Sequence, residues 1–112
     1  MNKITISGRL VRDIDIKDNN TTIIGKFTVA VNRNKTDTDF IDCVAFNQLA
    51  TTIQKYTTKG TYMIVAGRLE IKEYTRNDVK KKVAEVVCDN VEFVNTVATK
   101  KDLEEEDQEV PF

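Results

Sequence analysis

Apolar residues alternate with polar ones along most of this chain, and a period of two is typical of strands that bury one face. The alternation runs through residues 3–16, 24–31, 39–46, 61–74 and 83–93. It changes once to helical spacing, at Leu49, Ile53 and Tyr56, with Asn47 available as N-cap and Gly60 just beyond. The sequence therefore predicts an all-β chain of five strands, with one short helix between strands 3 and 4.

Two glycines lie inside long strands of this pattern. Gly8 and Gly67 each permit a bulge or a bend, so the strands that contain them can curve. Five curved strands predict a small closed barrel, and their count together with the helix position suits the five-stranded OB-fold. An SH3-like barrel is the structural alternative, although it more often lacks a true helix.

Charge divides the chain into two parts. All 17 Lys and Arg residues lie before residue 102, together with 12 of the 18 acids, so residues 1–101 carry a net charge of +5. The ending "DLEEEDQEVPF" holds the other six acids, yet its last three residues are apolar. We predict an OB-fold domain over residues 1–95 and a disordered acidic tail with a partner-binding tip over residues 96–112. The basic body favours an anionic partner.

Several classes of function lack the residues that they need. The sequence has no histidine, no nucleophile elbow and no Gly-rich phosphate loop, so we expect no enzyme, no cofactor and no metal. Asp13, Asp15 and Asp18 are spaced along a strand and into a turn, and we interpret them as surface residues. Cys43 and Cys88 have no CxxC spacing and are predicted to be buried, reduced thiols.

The pattern also bears on location. No stretch approaches the roughly 20 apolar residues of a membrane span. Residues 1–3 lead directly into the first strand pattern instead of a signal peptide. We therefore expect a cytoplasmic protein without membrane contact.

Aromatic and basic residues offer a surface for nucleic acid. Leu69 and Ile71 alternate with Tyr74, so the tyrosine ring is predicted to face solvent, on the same side as Lys72. The turn that follows is crowded with cations, namely Arg76, Lys80, Lys81 and Lys82. Exposed rings beside a positive groove are how single strands are held, whereas a lysine cluster also serves simply to keep a hairpin soluble.

The third strand is ambiguous by itself. Phe40, Asp42 and Phe46 share one side, and burial preference would place both rings in the core. If the residues of the other side fill a tight barrel, both rings and Asp42 point outward together. Periodicity permits either arrangement.

Six segments that are typical of one protein family occur in this order: "GRLVRD", "KFTVAVNR", "DFIDCVAF", "KYTTKG", "VAGRLEIKEY" and "EVVCDNVEF". Over residues 2–93 they resemble the bacterial single-stranded DNA-binding proteins, and "DLEEEDQEVPF" resembles the acidic tip of that family. The resemblance implies an OB-fold homotetramer in the bacterial cytoplasm or nucleoid. It also implies sequence-independent binding and protection of single-stranded DNA during replication, recombination and repair. The family commonly has a long linker before the tip, and the short one here looks like that of phage or plasmid members.

The resemblance also implies roles for individual residues. The stacking aromatics of the family fall on Phe40, Phe46 and Tyr74, and a further one, found just after the second strand, corresponds to Lys35. That lysine would exchange a stacking contact for a phosphate contact. The other predicted nucleic-acid-binding residues are the cations Lys3, Arg33, Lys59, Lys72, Arg76 and Lys80.

The tail is predicted to recruit replication and repair proteins. Asp107 and Glu109 are expected to pair with a basic rim on a partner, while Val110, Pro111 and Phe112 supply the apolar anchor. Two alternatives stay open on the residues alone. One is an adaptor that binds proteins through the tail and no DNA, and the other is an RNA-binding barrel that prefers ribose.

Overall fold

A computed structural model describes residues 1–94. Within them lie six strand segments and one helix: β1 (Ile4–Leu10), β2 (Asp15–Asp18), β3 (Ile23–Asn32), β4 (Thr38–Phe46), α1 (Asn47–Tyr56), β5 (Tyr62–Arg76) and β6 (Val79–Val94). The predicted strands and the helix between the third and fourth of them are all present. The tail predicted over residues 96–112 lies outside the described residues.

The first predicted strand is the one that the structure divides. β1 ends at Leu10 and β2 begins at Asp15, so residues 3–16 do not form one continuous strand. Leu10 and Ile14 both turn into the core, and the Val11 amide donates to the Thr28 carbonyl at 3.0 Å. The break lets the chain change partners, because β1 pairs mainly with β5 whereas β2 pairs with β3. It was not predicted because the alternation continues through it.

The strands close into a barrel. Their order is β1-β5-β6-β4-β3-β2, and a short antiparallel pairing of β1 with β3 closes the ring of β1, β5, β6, β4 and β3. All pairs are antiparallel except β4 with β6, which align in parallel through Cys43–Val86 and Val44–Val87. With β1 and β2 counted as two halves of one bent strand, this is the five-stranded OB-fold, and that prediction is confirmed.

Two glycines let strands approach closely where the barrel curves. A Cβ at Gly8 would lie 2.2 Å from the Ala30 carbonyl oxygen, and one at Gly67 would lie 1.9 Å from the Val87 carbonyl oxygen. The β5–β6 register shifts by one residue between Ala66 and Gly67, so the strand that was predicted to bend at Gly67 contains a bulge there. At Gly8 the β1–β5 register continues without a bulge, so this glycine serves the crossing with β3 instead.

Helix α1 covers one opening of the barrel with a narrow apolar stripe. Ala50 and Ile53 are fully buried and join the core formed by Leu10, Phe27, Val29, Cys43, Ala45, Met63, Val65 and Val86. The prediction of Asn47 as N-cap is wrong, because Phe46 occupies that position and Asn47 is the first helical residue. The Asn47 side-chain oxygen instead accepts a hydrogen bond from the Ile23 amide at 3.1 Å, which ties the start of the helix to β3.

The two cysteines are free and buried, as predicted. A hydrogen bond with the Cys88 thiol, and then burial, raise the pKa of the Cys43 thiol above its usual range. The thiol therefore stays protonated at neutral pH, which disfavours reaction as a nucleophile.

Among residues 1–94, no helix has the length and the apolar character needed to cross a membrane. The same residues hold no cluster of three metal-ligating side chains. Asp13 and Asp18 instead accept backbone hydrogen bonds, from the amides of Lys59 and Asn20.

Candidate nucleic-acid interface

Three aromatic rings are exposed on the outside of the barrel. The exposed fractions are 66% for Phe40, 41% for Phe46 and 47% for Tyr74. On β4 the alternate residues Cys43 and Ala45 are buried, so the strand turns its two phenylalanines outward. The outward orientation that periodicity left open is therefore the observed one, and rings on flat strands offer faces for stacking.

Strand register joins these rings into one surface, which we call the outer face. On β3, Ala30 and Ile24 align with Phe40 and Phe46. On the other side of β4, Val44 aligns with Val87 of β6, which in turn aligns with Arg68 of β5. Residues aligned across neighbouring strands share a side of the sheet. The outer face thus runs continuously over β3, β4, β6 and β5.

Beyond the barrel, β5 and β6 continue as a two-stranded arm. Residues 68–76 of β5 pair only with β6 within the described chain, and Asn77 and Asp78 make the turn with positive φ values of 53° and 64°. Leu69 and Ile71 are 37% and 58% exposed, so the side opposite Tyr74 also meets solvent. No further strand or helix among residues 1–94 packs on this side. The outward direction of Tyr74 is unaffected.

The register between β5 and β6 determines on which side of the arm each cation lies. Tyr74 aligns with Lys81, whereas Lys80 and Lys82 align with Thr75 and Glu73 on the opposite side. All three lysines and Arg76 are exposed. Lys81 is therefore a cation beside the Tyr74 ring; it belongs to the predicted cation cluster but not to the set of predicted nucleic-acid-binding residues. The sequence does contain information that could have identified Lys81, because a two-residue turn fixes which residues of β5 and β6 face each other.

Lys72 lies on the outer face in an ion pair. Its ammonium is 2.8 Å from a carboxylate oxygen of Glu85, a residue that is only 9% exposed. The hydrogen bond with Glu85 raises the pKa of Lys72, so the lysine remains charged. The pairing also fixes where this positive charge sits on the sheet.

The β3–β4 loop holds two more of the predicted cations. Arg33 forms a two-pronged ion pair with Asp39, and this contact raises the pKa of Arg33 and lowers that of Asp39. Asn34 closes the loop by accepting hydrogen bonds from the amides of Thr36 and Asp37. Lys35 is exposed in this loop, just after β3.

Lys3 and Lys59 lie on other parts of the barrel. Lys3 stands between Asn2, whose side chain hydrogen-bonds both backbone groups of Leu69, and Ile4, which aligns with Gly67. That places Lys3 beside Arg68, at the edge of the outer face. The Lys59 amide donates to Asp13 at 2.8 Å, which locates this lysine near the break between β1 and β2. The predicted partner-binding residues Asp107, Glu109, Val110, Pro111 and Phe112 lie outside the described residues.

Comparison with known proteins finds a matching family model and several relatives of similar sequence. A family model described as "Single-strand binding protein family" matches residues 1–94. A single-stranded DNA-binding protein of Clostridium perfringens is 34% identical over 101 residues, which cover 86% of this chain and 67% of that protein. Proteins of the same name from Staphylococcus epidermidis and Enterococcus faecalis are 33% and 34% identical. Those matches cover 85% and 86% of this chain, but 77% and 55% of the relatives, so the chain spans only part of their length.

Proposed function

The chain belongs to the single-strand binding protein family, and from that membership we propose that it binds and protects single-stranded DNA without reading its sequence. The observation that carries this proposal is the outer face, where Phe40, Phe46 and Tyr74 stand exposed on one continuous sheet surface with lysines among them. The activity is binding, without a chemical step. Its setting would be replication, recombination and repair in the bacterial cytoplasm or nucleoid.

The proposed mechanism combines stacking with charge neutralisation. Bases stack on the three rings, and every base has a flat face, so the contact does not depend on sequence. Cations on and around the outer face replace the counterions of the phosphates. For this role we propose the cations predicted from the sequence, namely Lys3, Arg33, Lys35, Lys59, Lys72, Arg76 and Lys80. The strand register adds Lys81. Arg33 and Lys72 would exchange or share their carboxylate partners when phosphates arrive.

Affinity for oligothymidine is expected to fall with salt, with a logarithmic slope of about −0.7 for each phosphate neutralised on a single strand. Fluorescence anisotropy of labelled dT and rU oligomers, titrated at several salt concentrations, measures the slope and the preference for DNA over RNA. If dT does not bind even at low salt, the chain is an adaptor. If rU binds more tightly than dT, it is an RNA-binding barrel.

Two neighbouring lysines test the use of the outer face. Lys81→Ala is expected to reduce the magnitude of the salt slope by about 0.7, because Lys81 shares its side with Tyr74. Lys82→Ala removes the same charge from the opposite side of the same arm and serves as the matched control. Equal effects of the two substitutions would mean that DNA does not follow the outer face.

We also propose that the chain forms a homotetramer. Residues 4–8 of β1 pair with β5 on one edge, whereas on the other edge, within residues 1–94, β3 aligns only with Arg9 and Leu10. An unpaired strand edge is a template for pairing with a second chain. Four copies would join several outer faces and raise the effective concentration of binding sites along one strand.

The tail is proposed as a separate partner-binding segment, after an OB-fold domain at residues 1–95. Asp107 and Glu109 would contact a basic rim, and Val110, Pro111 and Phe112 an apolar pocket, on replication and repair proteins. The six acids of the tail can also compete with DNA for the basic body. Binding of DNA and binding of a partner would then be linked.

Deletion of residues 110–112 is expected to leave the dissociation constant for oligothymidine unchanged, because none of the three carries a charged side chain or lies in the proposed stacking set. The same deletion is expected to abolish capture of replication and repair proteins from a bacterial lysate, with captured proteins identified by mass spectrometry. Phe112→Ala isolates the aromatic anchor. Unchanged capture by the deleted chain would remove the proposed role of the tip.

A further inference from the structure

Asp42 stands between the two exposed phenylalanines of β4. It lies two residues from Phe40 and four residues from Phe46, with the buried Val44 between Asp42 and Phe46, whereas Phe40, Asp42 and Phe46 are exposed. Consecutive residues on one side of a strand are about 7 Å apart, so the carboxylate is a near neighbour of the Phe40 ring, whereas Phe46 is about twice as far away. A base stacked on Phe40 would hold its edge near this carboxylate.

The charge of Asp42 is not neutralised by a neighbour. Its Oδ1 accepts a hydrogen bond from the Thr28 hydroxyl at 3.0 Å, and among residues 1–94 no cation lies within ion-pair distance of it. Glu85, which lies beside Asp42 across the β4–β6 pairing, is by contrast buried and paired with Lys72. Asp42 is therefore the carboxylate that the centre of the outer face offers to a ligand, with Oδ2 still available.

A carboxylate at this position interacts differently with the phosphate and with the base of a nucleotide. It repels phosphates, and it accepts hydrogen bonds from exocyclic amines such as the cytosine N4 amine. Uracil and thymine carry a carbonyl oxygen at the equivalent position, which the carboxylate also repels. The arrangement favours an amino-bearing base on Phe40 and moves the backbone toward the lysines at the edges.

We propose that Asp42 is a specificity-determining residue that gives this surface a preference for cytosine over uracil and thymine. This inference rests on the proposed function, since it concerns the base stacked on Phe40. It adds a base preference to a surface whose stacking contacts are indifferent to sequence. The hydrogen bond is charge-assisted, because its acceptor is ionised, and it forms at the edge of the stacked base.

Oligodeoxycytidine and oligodeoxyuridine of equal length test the proposal, because their bases differ only around position 4 and neither carries the thymine methyl group. We expect the native chain to bind the cytidine oligomer about three- to tenfold more tightly at neutral pH. Asp42→Asn keeps the size of the side chain and an oxygen for Thr28. In this variant the two dissociation constants are expected to become nearly equal.

Glu73→Gln is the matched control, because it removes one negative charge from the opposite side of the arm, where Glu73 aligns with Lys82. It is expected to leave the ratio of the two dissociation constants as in the native chain. A ratio near one for the native chain, or a ratio unchanged by Asp42→Asn, would overturn the proposal while leaving DNA binding intact. Failure of both oligomers to bind would instead refute the proposed function and, with it, this inference.

Discussion

A chain that carries Phe40→Ala together with Tyr74→Ala is expected to bind oligothymidine roughly 30-fold to 20,000-fold more weakly than the native chain. Each base–aromatic stack contributes about 1 to 3 kcal/mol, and two stacks are removed. Both rings are exposed, on β4 and on the arm, so their truncation leaves the barrel core intact. Anisotropy titrations at one fixed salt concentration measure the loss.

Tyr56→Ala supplies the matched control for this loss. Tyr56 is also an exposed ring, 48% accessible, but it lies on α1 and contacts Phe93 at a centroid distance of 6.1 Å. Its removal is expected to leave DNA affinity unchanged. A chain that keeps the native Phe40 and carries Tyr74→Phe should retain most of the native affinity, because phenylalanine keeps the stacking face. Native affinity in the double alanine variant would show that the outer face does not hold the bases.

Gly67→Ala is expected to lower the free energy of unfolding by about 3 kcal/mol or more. The added Cβ would meet the Val87 carbonyl oxygen at 1.9 Å, and this obstacle is backbone, which cannot rotate away as a side chain can. The strands at the β5–β6 bulge would have to separate. Urea denaturation followed by far-ultraviolet circular dichroism measures the change in midpoint, with the slope checked for constancy.

Gly60→Ala distinguishes this obstruction from the general cost of replacing a glycine. Gly60 has a φ of +91°, and no atom lies within 4 Å of an added Cβ. Its substitution therefore introduces only backbone strain, about 1 to 2 kcal/mol. If Gly67→Ala costs no more than Gly60→Ala, the close approach of β5 and β6 is not a constraint on the barrel.

The periodicity of apolar residues, together with the positions of turn residues and glycines, was sufficient to predict the barrel. The alternation located the strands, and the helical spacing of Leu49, Ile53 and Tyr56 located α1. The break between Leu10 and Asp15 escaped prediction because both sides of it keep inward apolar residues. Asn47 has the chemistry of an N-cap, but the amide of Ile23 takes its side-chain oxygen. Such choices depend on a tertiary neighbour that local sequence does not contain.

The candidate site was predicted in part. Alternation predicted that Tyr74 points outward and left Phe40 and Phe46 open, and the resemblance assigned all three as stacking aromatics; the structure shows all three exposed. Register decides the rest, because it puts Lys81 beside Tyr74 and Asp42 next to Glu85. The pairing of Lys72 with Glu85 joins different strands. A period of two gives the side of a strand but not the strand beside it.

The parallel pairing of β4 with β6 has a consequence for synthesis. Cys43 and Val44 can pair only after Val86 and Val87 have been synthesised, so β6, the last of the strands within residues 1–94, completes the barrel. Pairing between distant segments is slow, because the entropy of closing the intervening loop is lost first. The nascent chain therefore exposes one edge of β4 until translation has passed residue 87. Chaperones that cover strand edges would act in that interval.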